Sequence, residues 1–164
     1  VKKAIIENAK GNCHSLSLDL FDQWQAMEKN AQWRFTPPTH VLAAFYQALK
    51  EHHTEGGVQG RHDRYMQNCE IICKGMKEIG FKQLLPDHLQ APIIITFMQP
   101  NDPNFKFGEF YDGLSEKGFL IYPGKLTIAN TFRIGCIGYL TSNDMREAIK
   151  AVKETIQELN IQLN

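Results

Sequence analysis

A single arginine stands inside a segment, residues 131–138, that otherwise has the pattern of a buried strand. Side chains of a strand alternate between two faces, so Arg133 is predicted to point away from the apolar residues Phe132, Ile134 and Cys136. Gly135, its nearest neighbour on that face, has no side chain to obstruct a small molecule. A planar guanidinium in such a place suits a carboxylate or a phosphonate. The alternative is an ion pair with an internal Asp or Glu across the sheet.

A second candidate site lies where a helix is predicted to begin. In the stretch from Trp33 to His40, Thr36 directly precedes Pro37 and Pro38, which open an apolar-periodic segment. Proline keeps the residue before it extended, and the amino terminus of a helix favours an anion. The hydroxyls of Thr36 and Thr39 and the first free amides could therefore donate to a phosphate. The alternative is that one threonine only caps the helix.

Two pairs of side chains on the next predicted helix also merit interpretation. Arg61 and Arg64 are three positions apart, hence on one helical face, and a solvated charged face is the simpler interpretation. Cys69 and Cys73 are four apart, as two metal ligands might be, but no histidine pair at zinc-finger spacing accompanies them. The cysteine pair is therefore interpreted as small buried thiols, and no metal site is predicted.

The composition is that of an ordinary soluble globular protein, with 43% hydrophobic and 22% charged residues among 164. The 18 basic and 18 acidic residues balance, so charge gives no reason to expect nucleic acid or an anionic membrane as partner. No apolar run approaches the roughly 20 residues that cross a bilayer, and no signal peptide is visible, so a cytoplasmic location is expected. The first residue, Val1, indicates a piece of a longer chain.

The elements that must position these residues follow from hydrophobic periodicity. Residues 1–35 are irregular and polar apart from a helical run at 19–29. A helix is predicted from Pro37 to the Gly56-Gly57 pair, with an apolar stripe at Val41, Leu42, Phe45 and Leu49. A second ends at a glycine cap, Gly80, a third lies at 107–117, and the last starts with a capping box in Thr141 to Asp144. Strands are predicted at 81–85, 92–98, 119–122 and 131–137. This order describes a small α/β layer with helices over one face, which leaves the other face free to carry Arg133.

Taken in this order, the motifs resemble the class V group of pyridoxal-phosphate aminotransferases over nearly the whole chain. The segments that carry the resemblance are residues 14–24, 33–40, 55–57, Arg61-His62, Arg64-Tyr65, 119–125 and Phe132 to Gly135. The first two segments resemble the branch of the family that acts on a phosphonate. The sequence Phe-Arg-Ile-Gly is shared more widely, among enzymes such as alanine:glyoxylate aminotransferase.

The resemblance implies an α/β chain that forms the carboxy-terminal part of the aspartate-aminotransferase-like fold, fold type I. Residues 1–55 would be a remnant of the large cofactor-binding domain and a connecting helix, and residues 56–164 the small carboxy-terminal domain. In this family the lysine that forms the Schiff base lies upstream of the matched region. None of the thirteen lysines here, Lys125 included, has that context. No catalytic residue is therefore assigned, and the chain alone is expected to be inactive, with no covalent cofactor.

The resemblance also assigns two residues of this chain. Arg133 matches the arginine that holds the acidic group of the substrate, and Thr36 matches the threonine that reaches the cofactor phosphate of the neighbouring subunit. It implies that the complete protein is a homodimer that uses pyridoxal phosphate to move the amino group of 2-aminoethylphosphonate to pyruvate. Phosphonoacetaldehyde and alanine would be the products. Arg61, Arg64 and Tyr122 receive no role.

Three other functions stay open on the sequence alone. One is another class V aminotransferase, or a cysteine desulfurase with the same small domain, which the amino-donor preference of the complete protein would reveal. Another is a non-catalytic dimerisation or interaction module. The last is a small-molecule binding domain that uses Arg133 without pyridoxal phosphate.

Overall fold

The chain divides into two compact units, Val1–Glu51 and His52–Asn164, in a computed structural model that describes residues 1–124 and 129–163. The division predicted at residues 55 and 56, into a large-domain remnant and a small domain, stays a prediction. None of the helices in these described ranges combines the length and the apolar character that crossing a membrane requires.

The first unit contains two short helices and most of a third. Helix α1 spans Lys3–Glu7 and α2 spans Leu20–Asn30. Helix α2 confirms the helical run predicted at residues 19–29. The side chain of Asp19 caps it by accepting a hydrogen bond from the Asp22 amide at 3.0 Å.

Helix α3 spans Thr39–Thr54 and begins directly after the proline pair, as predicted. The Pro38 carbonyl accepts the first helical hydrogen bond, from the Leu42 amide at 3.0 Å. No residue of α3 is buried. Its apolar stripe is therefore exposed, by between 37% and 65% at the four predicted positions, Val41, Leu42, Phe45 and Leu49.

The second unit is built on two long helices and a shorter one. Helix α4 spans Gly57–Ile79, α5 spans Phe107–Glu116 and α6 spans Ser142–Glu158. Gly80 ends α4 with a φ of 115° and donates to the carbonyls of Met76 and Lys77, which confirms the predicted glycine cap. The predicted capping box is present at the start of α6, where Thr141 and Asp144 each bond the backbone amide of the other.

Three antiparallel strands form the sheet, in the order β1-β3-β2. They are β1 at Ile94–Met98, β2 at Tyr122–Pro123 and β3 at Thr131–Gly135. Ile95 and Phe97 of β1 lie opposite Ile134 and Phe132 of β3, and all four are buried. Arg133 lies on the central strand, opposite Thr96 on one side and Tyr122 on the other.

The ranges of two of the four predicted strands, 81–85 and 119–122, are wrong. The stretch 81–85 forms only an isolated bridge between Gln83 and Phe97 before the chain turns at Pro86 into a 3₁₀ turn at Asp87–Leu89. The strand predicted at 119–122 begins only at Tyr122. The Phe119 amide donates instead to the Leu114 carbonyl at 2.9 Å, so this residue completes the end of α5 rather than a strand ladder.

The core of the second unit lies between one face of the sheet and the three helices. It joins Ile72 and Met76 of α4, Phe110 of α5, Val152 of α6 and Phe132 of β3, all less than 3% exposed. Helices α4 and α6 pack closely, since a Cβ placed on Gly75 would lie 2.7 Å from a side-chain carbon of Ile149. This packing fixes β3 against a rigid layer, on the side opposite Arg133.

Candidate functional site

Arg133 is presented by the middle of the central strand. Its strand neighbours Phe132 and Ile134 belong to the core, whereas Arg133 is half-buried on the other face, as the alternation predicts. Its cross-strand neighbours are Thr96 and Tyr122, neither of which carries a charge at neutral pH. Within residues 1–124 and 129–163, no carboxylate forms a salt bridge with Arg133. The alternative of an internal ion pair is therefore not observed in the described part of the chain.

The guanidinium of Arg133 retains unused hydrogen-bonding capacity. Its Nη2 donates to the Pro123 carbonyl at 3.2 Å, which orients the group from the neighbouring strand. Its Nε is enclosed and has no acceptor among the described residues. Because a buried donor without a partner is unfavourable, hydrogen bonds within the described residues do not account for the position of this guanidinium.

Two glycines shape the surroundings of Arg133. A Cβ added to Gly135 would meet no described atom within 4 Å, so the position beside Arg133 on its face is open. A Cβ on Gly124 would overlap the side chain and the carbonyl of Thr131, while the Gly124 amide donates to that carbonyl at 2.9 Å. Gly124, which the sequence left without a role, is thus required for the close approach of the segment after β2 to β3. Lys125, directly after it, lies outside the described residues.

Thr36 belongs to the first unit, where it is exposed between α2 and α3. It lies in a shallow, open depression formed by residues 31–37. Among the described residues, neither Thr36 nor Thr39 makes a side-chain hydrogen bond to the first turn of α3, so the simple capping alternative is not observed. The Thr36 hydroxyl is therefore available to a partner from outside this chain.

The segment that carries Thr36 is anchored to α2. The Arg34 amide donates to the Gln23 side chain at 3.3 Å, and the Arg34 guanidinium lies 3.5 Å from an oxygen of Asp22. The same guanidinium is stacked 5.2 Å from the ring centre of Phe35. These contacts restrict the two residues that precede Thr36 and so limit the positions that its hydroxyl can take.

Arg61 and Arg64 do not form a solvated charged face, and that interpretation is wrong. Both bind Glu55, since Arg61 Nε lies 2.8 Å from one carboxylate oxygen and Arg64 Nε 2.6 Å from the other. Hydrogen bonds from Arg64 and then Arg61 lower the pKa of the Glu55 carboxyl below its ordinary value. The spacing in the sequence is compatible with this pairing, since Glu55 precedes the two arginines by six and nine positions across a Gly-Gly turn.

The interpretation of Cys69 and Cys73 as small buried thiols is confirmed for Cys69, whereas Cys73 is only half-buried. Their sulfurs lie 3.8 Å apart with no disulfide. The Sγ of Cys136, directly after β3, donates to the Ile93 carbonyl at 3.4 Å. The neighbouring thiols of Cys136 and then Cys73 lower the pKa of the Cys69 thiol. Within the described ranges, no group of three or more His, Cys, Asp and Glu side chains is placed to hold a metal ion.

The sequence of this chain is similar to that of known aminotransferases. No family model matches the chain. A curated relative, the 2-aminoethylphosphonate–pyruvate transaminase of Pseudomonas aeruginosa, is 49% identical to it over 160 residues. The match covers 98% of this chain and 43% of the relative, so the chain spans less than half the length of the protein it resembles.

Two solved structures with a similar fold are aminotransferases. The alanine–glyoxylate aminotransferase of Nostoc sp. matches 95% of this chain and 42% of its own, with a TM-score of 0.75 at 16% identity. The ureidoglycine–glyoxylate aminotransferase of Bacillus subtilis matches 87% of this chain and 37% of its own, with a TM-score of 0.69 at 18% identity. The predicted fold class is confirmed, since the chain has the α/β architecture of part of an aspartate-aminotransferase-like protein.

Proposed function

We propose that the complete protein is a pyridoxal-phosphate-dependent aminotransferase that transfers the amino group of 2-aminoethylphosphonate to pyruvate. Sequence similarity to the Pseudomonas aeruginosa transaminase supports the reaction. The observation that carries the proposal in this chain is Arg133, a half-buried arginine on the central strand with an enclosed Nε and no carboxylate partner among the described residues. Such a group is suited to binding an acidic ligand.

Arg133 would hold two different acidic groups in turn. The phosphonate of the amino donor binds it in the first half-reaction, and the carboxylate of pyruvate binds it in the second. The carboxylate is planar and the phosphonate is tetrahedral, but each presents at least two oxygens that can accept hydrogen bonds from a guanidinium fork. The bond from Nη2 to the Pro123 carbonyl orients that fork, and Gly135 leaves the adjacent space open. One arginine therefore serves both substrates, although the reacting carbon is bonded directly to the carboxyl group in pyruvate and lies one CH₂ further from the acidic group in 2-aminoethylphosphonate.

The part of this chain that fits the cofactor is Thr36. Its exposed hydroxyl makes no capping bond in the described part of the chain, and it lies just before a helix amino terminus, where an anionic phosphate is favoured. Thr36 would donate one hydrogen bond to the phosphate bound in the neighbouring subunit of a homodimer. Pyridoxal phosphate, when bound, withdraws electrons from the carbon that carries the amino group. The chain alone, without a lysine in the Schiff-base context, would not catalyse the reaction.

A steady-state assay of the complete protein tests this function. It compares 2-aminoethylphosphonate with alanine as amino donor, and pyruvate with glyoxylate as acceptor. The phosphonate donor with pyruvate is the expected pair.

Replacing Thr36 with alanine should weaken retention of the cofactor more than it slows the chemical step. Loss of one hydrogen bond costs about 0.5 to 1.5 kcal/mol, and more if the bond is charge-assisted. The dissociation constant for pyridoxal phosphate should therefore rise roughly two- to tenfold. Fluorescence titration of the dialysed complete protein measures it.

Thr39→Ala is the matched control, because Thr39 is also an exposed threonine at the start of α3. It should leave the dissociation constant near that of the unmodified protein. An equal effect of both substitutions, or no effect of Thr36→Ala, would refute the role assigned to Thr36.

A further inference from the structure

The chain that leaves β3 is held by side chains of α4. This post-strand segment, residues 136–140, begins three positions after Arg133. Arg64 Nη1 donates to the carbonyls of Gly138 and Leu140, at 2.6 and 2.9 Å. Asn68, which is fully buried, donates to the carbonyls of Cys136 and Leu140, at 3.2 and 3.0 Å.

Arg64 is itself fixed by a second contact. Its Nε donates to Glu55, so one guanidinium joins the turn before α4 to the segment after β3. The backbone of Glu55 packs directly against Gly60 in the first turn of α4, where a Cβ would overlap the Glu55 carbonyl oxygen. The side chains of Arg64 and Glu55 are 23% and 21% exposed, whereas Gly138 and Leu140 are exposed residues. A planar fork that meets three acceptors at once is geometrically demanding and specific to arginine.

We propose that Arg64 is a positioning residue for Arg133. By binding two carbonyls of the post-strand segment, it fixes where β3 ends, and hence the depth and angle at which the Arg133 guanidinium is presented. Displacement of a binding group by about 1 Å can lower a rate by two orders of magnitude. The proposal rests on the substrate-binding function proposed for Arg133.

Arg61 provides a matched comparison within the same cluster. It binds the same Glu55 carboxylate, at 2.8 Å, from one helical turn earlier. Its guanidinium has no bond to the post-strand segment among the described contacts. Substitution of either arginine weakens the binding of Glu55, but only substitution of Arg64 removes the bonds to the Gly138 and Leu140 carbonyls, the second of which Asn68 also binds.

The test is made on the complete protein, with the variants Arg64→Gln and Arg61→Gln. Arg64→Gln should lower kcat/KM for 2-aminoethylphosphonate and for pyruvate by roughly ten- to a hundredfold, through weaker binding of both acids. Arg61→Gln should lower neither by more than about threefold. If Arg64→Gln does not fold, Arg64→Lys replaces it, because a lysine keeps the charge but has one nitrogen in place of the separate Nε and Nη1 that bond Glu55 and the two carbonyls.

A double-mutant cycle separates positioning from general stability. In an Arg133→Ala background, Arg64→Gln should cause little further loss, since its effect acts through Arg133. Two results would overturn the inference while Arg133 keeps its role. One is that the losses in kcat/KM from Arg64→Gln and Arg133→Ala multiply in the double variant, and the other is that Arg64→Gln and Arg61→Gln lower kcat/KM equally. If Arg133→Ala alone changes neither substrate's kinetics, the proposed function of Arg133 is what fails.

Discussion

Replacing Arg133 with alanine in the complete protein is expected to impair both half-reactions of the proposed transaminase, while the cofactor binding and the dimerisation proposed for it survive. A hydrogen bond to a charged group contributes about 1.5 to 3 kcal/mol. The loss in kcat/KM should therefore be roughly ten- to a hundredfold or more, with a bidentate contact at the upper end. Single-turnover kinetics with 2-aminoethylphosphonate and with pyruvate measure the two half-reactions separately.

Arg133→Lys is the control for this experiment. Lysine keeps the charge but not the planar fork, so it should recover only part of the lost activity. A thermal melt of the same variants distinguishes binding from stability. If Arg133 were instead one half of an internal ion pair, its removal would lower Tm and leave the kinetics of the folded protein normal. That combination would contradict the role assigned to Arg133.

Replacing Phe132 with alanine, unlike replacing Arg133, should cause a large loss in the free energy of unfolding. Phe132 is completely buried, and its ring centre lies 5.4 to 6.4 Å from those of five other aromatic residues, Phe81, Phe97, Phe105, Phe107 and Phe110. Removal of a buried phenylalanine side chain costs about 3 to 5 kcal/mol, because a cavity replaces these contacts. Urea unfolding measures the change in the free energy of unfolding.

Tyr139→Ala is the matched control for Phe132→Ala. Tyr139 follows the same strand but is 99% exposed, so its removal should change stability by less than about 0.5 kcal/mol. A change below about 1 kcal/mol for Phe132→Ala would show that the core of the second unit is not organised around this ring.

The position of Arg133 could be predicted because it depends on local chemistry. Alternation along one strand separates Phe132 and Ile134 from Arg133, and the register with Thr96 agrees with that separation. The capping box at Thr141 and the glycine cap at Gly80 are local in the same way. Each of these features is decided by residues within a few positions of one another.

The features that could not be predicted depend on distant partners. The stretch 81–85 has apolar residues typical of a strand, but only Gln83 finds a bridging partner on β1. Arg64 bonds to Gly138, which is 74 positions further along the chain, and no local pattern indicates that pairing. Periodicity shows which face of an element is apolar, whereas the fold decides which polar groups meet.

The amino-donor preference of the complete protein tests the central claim most directly. With pyruvate as acceptor, 2-aminoethylphosphonate should be converted to phosphonoacetaldehyde with formation of alanine, at a kcat/KM well above that for any carboxylate donor. Measurement of both products over a range of donors decides the question. Preference for alanine with glyoxylate, or no amino transfer from the phosphonate, would contradict the account.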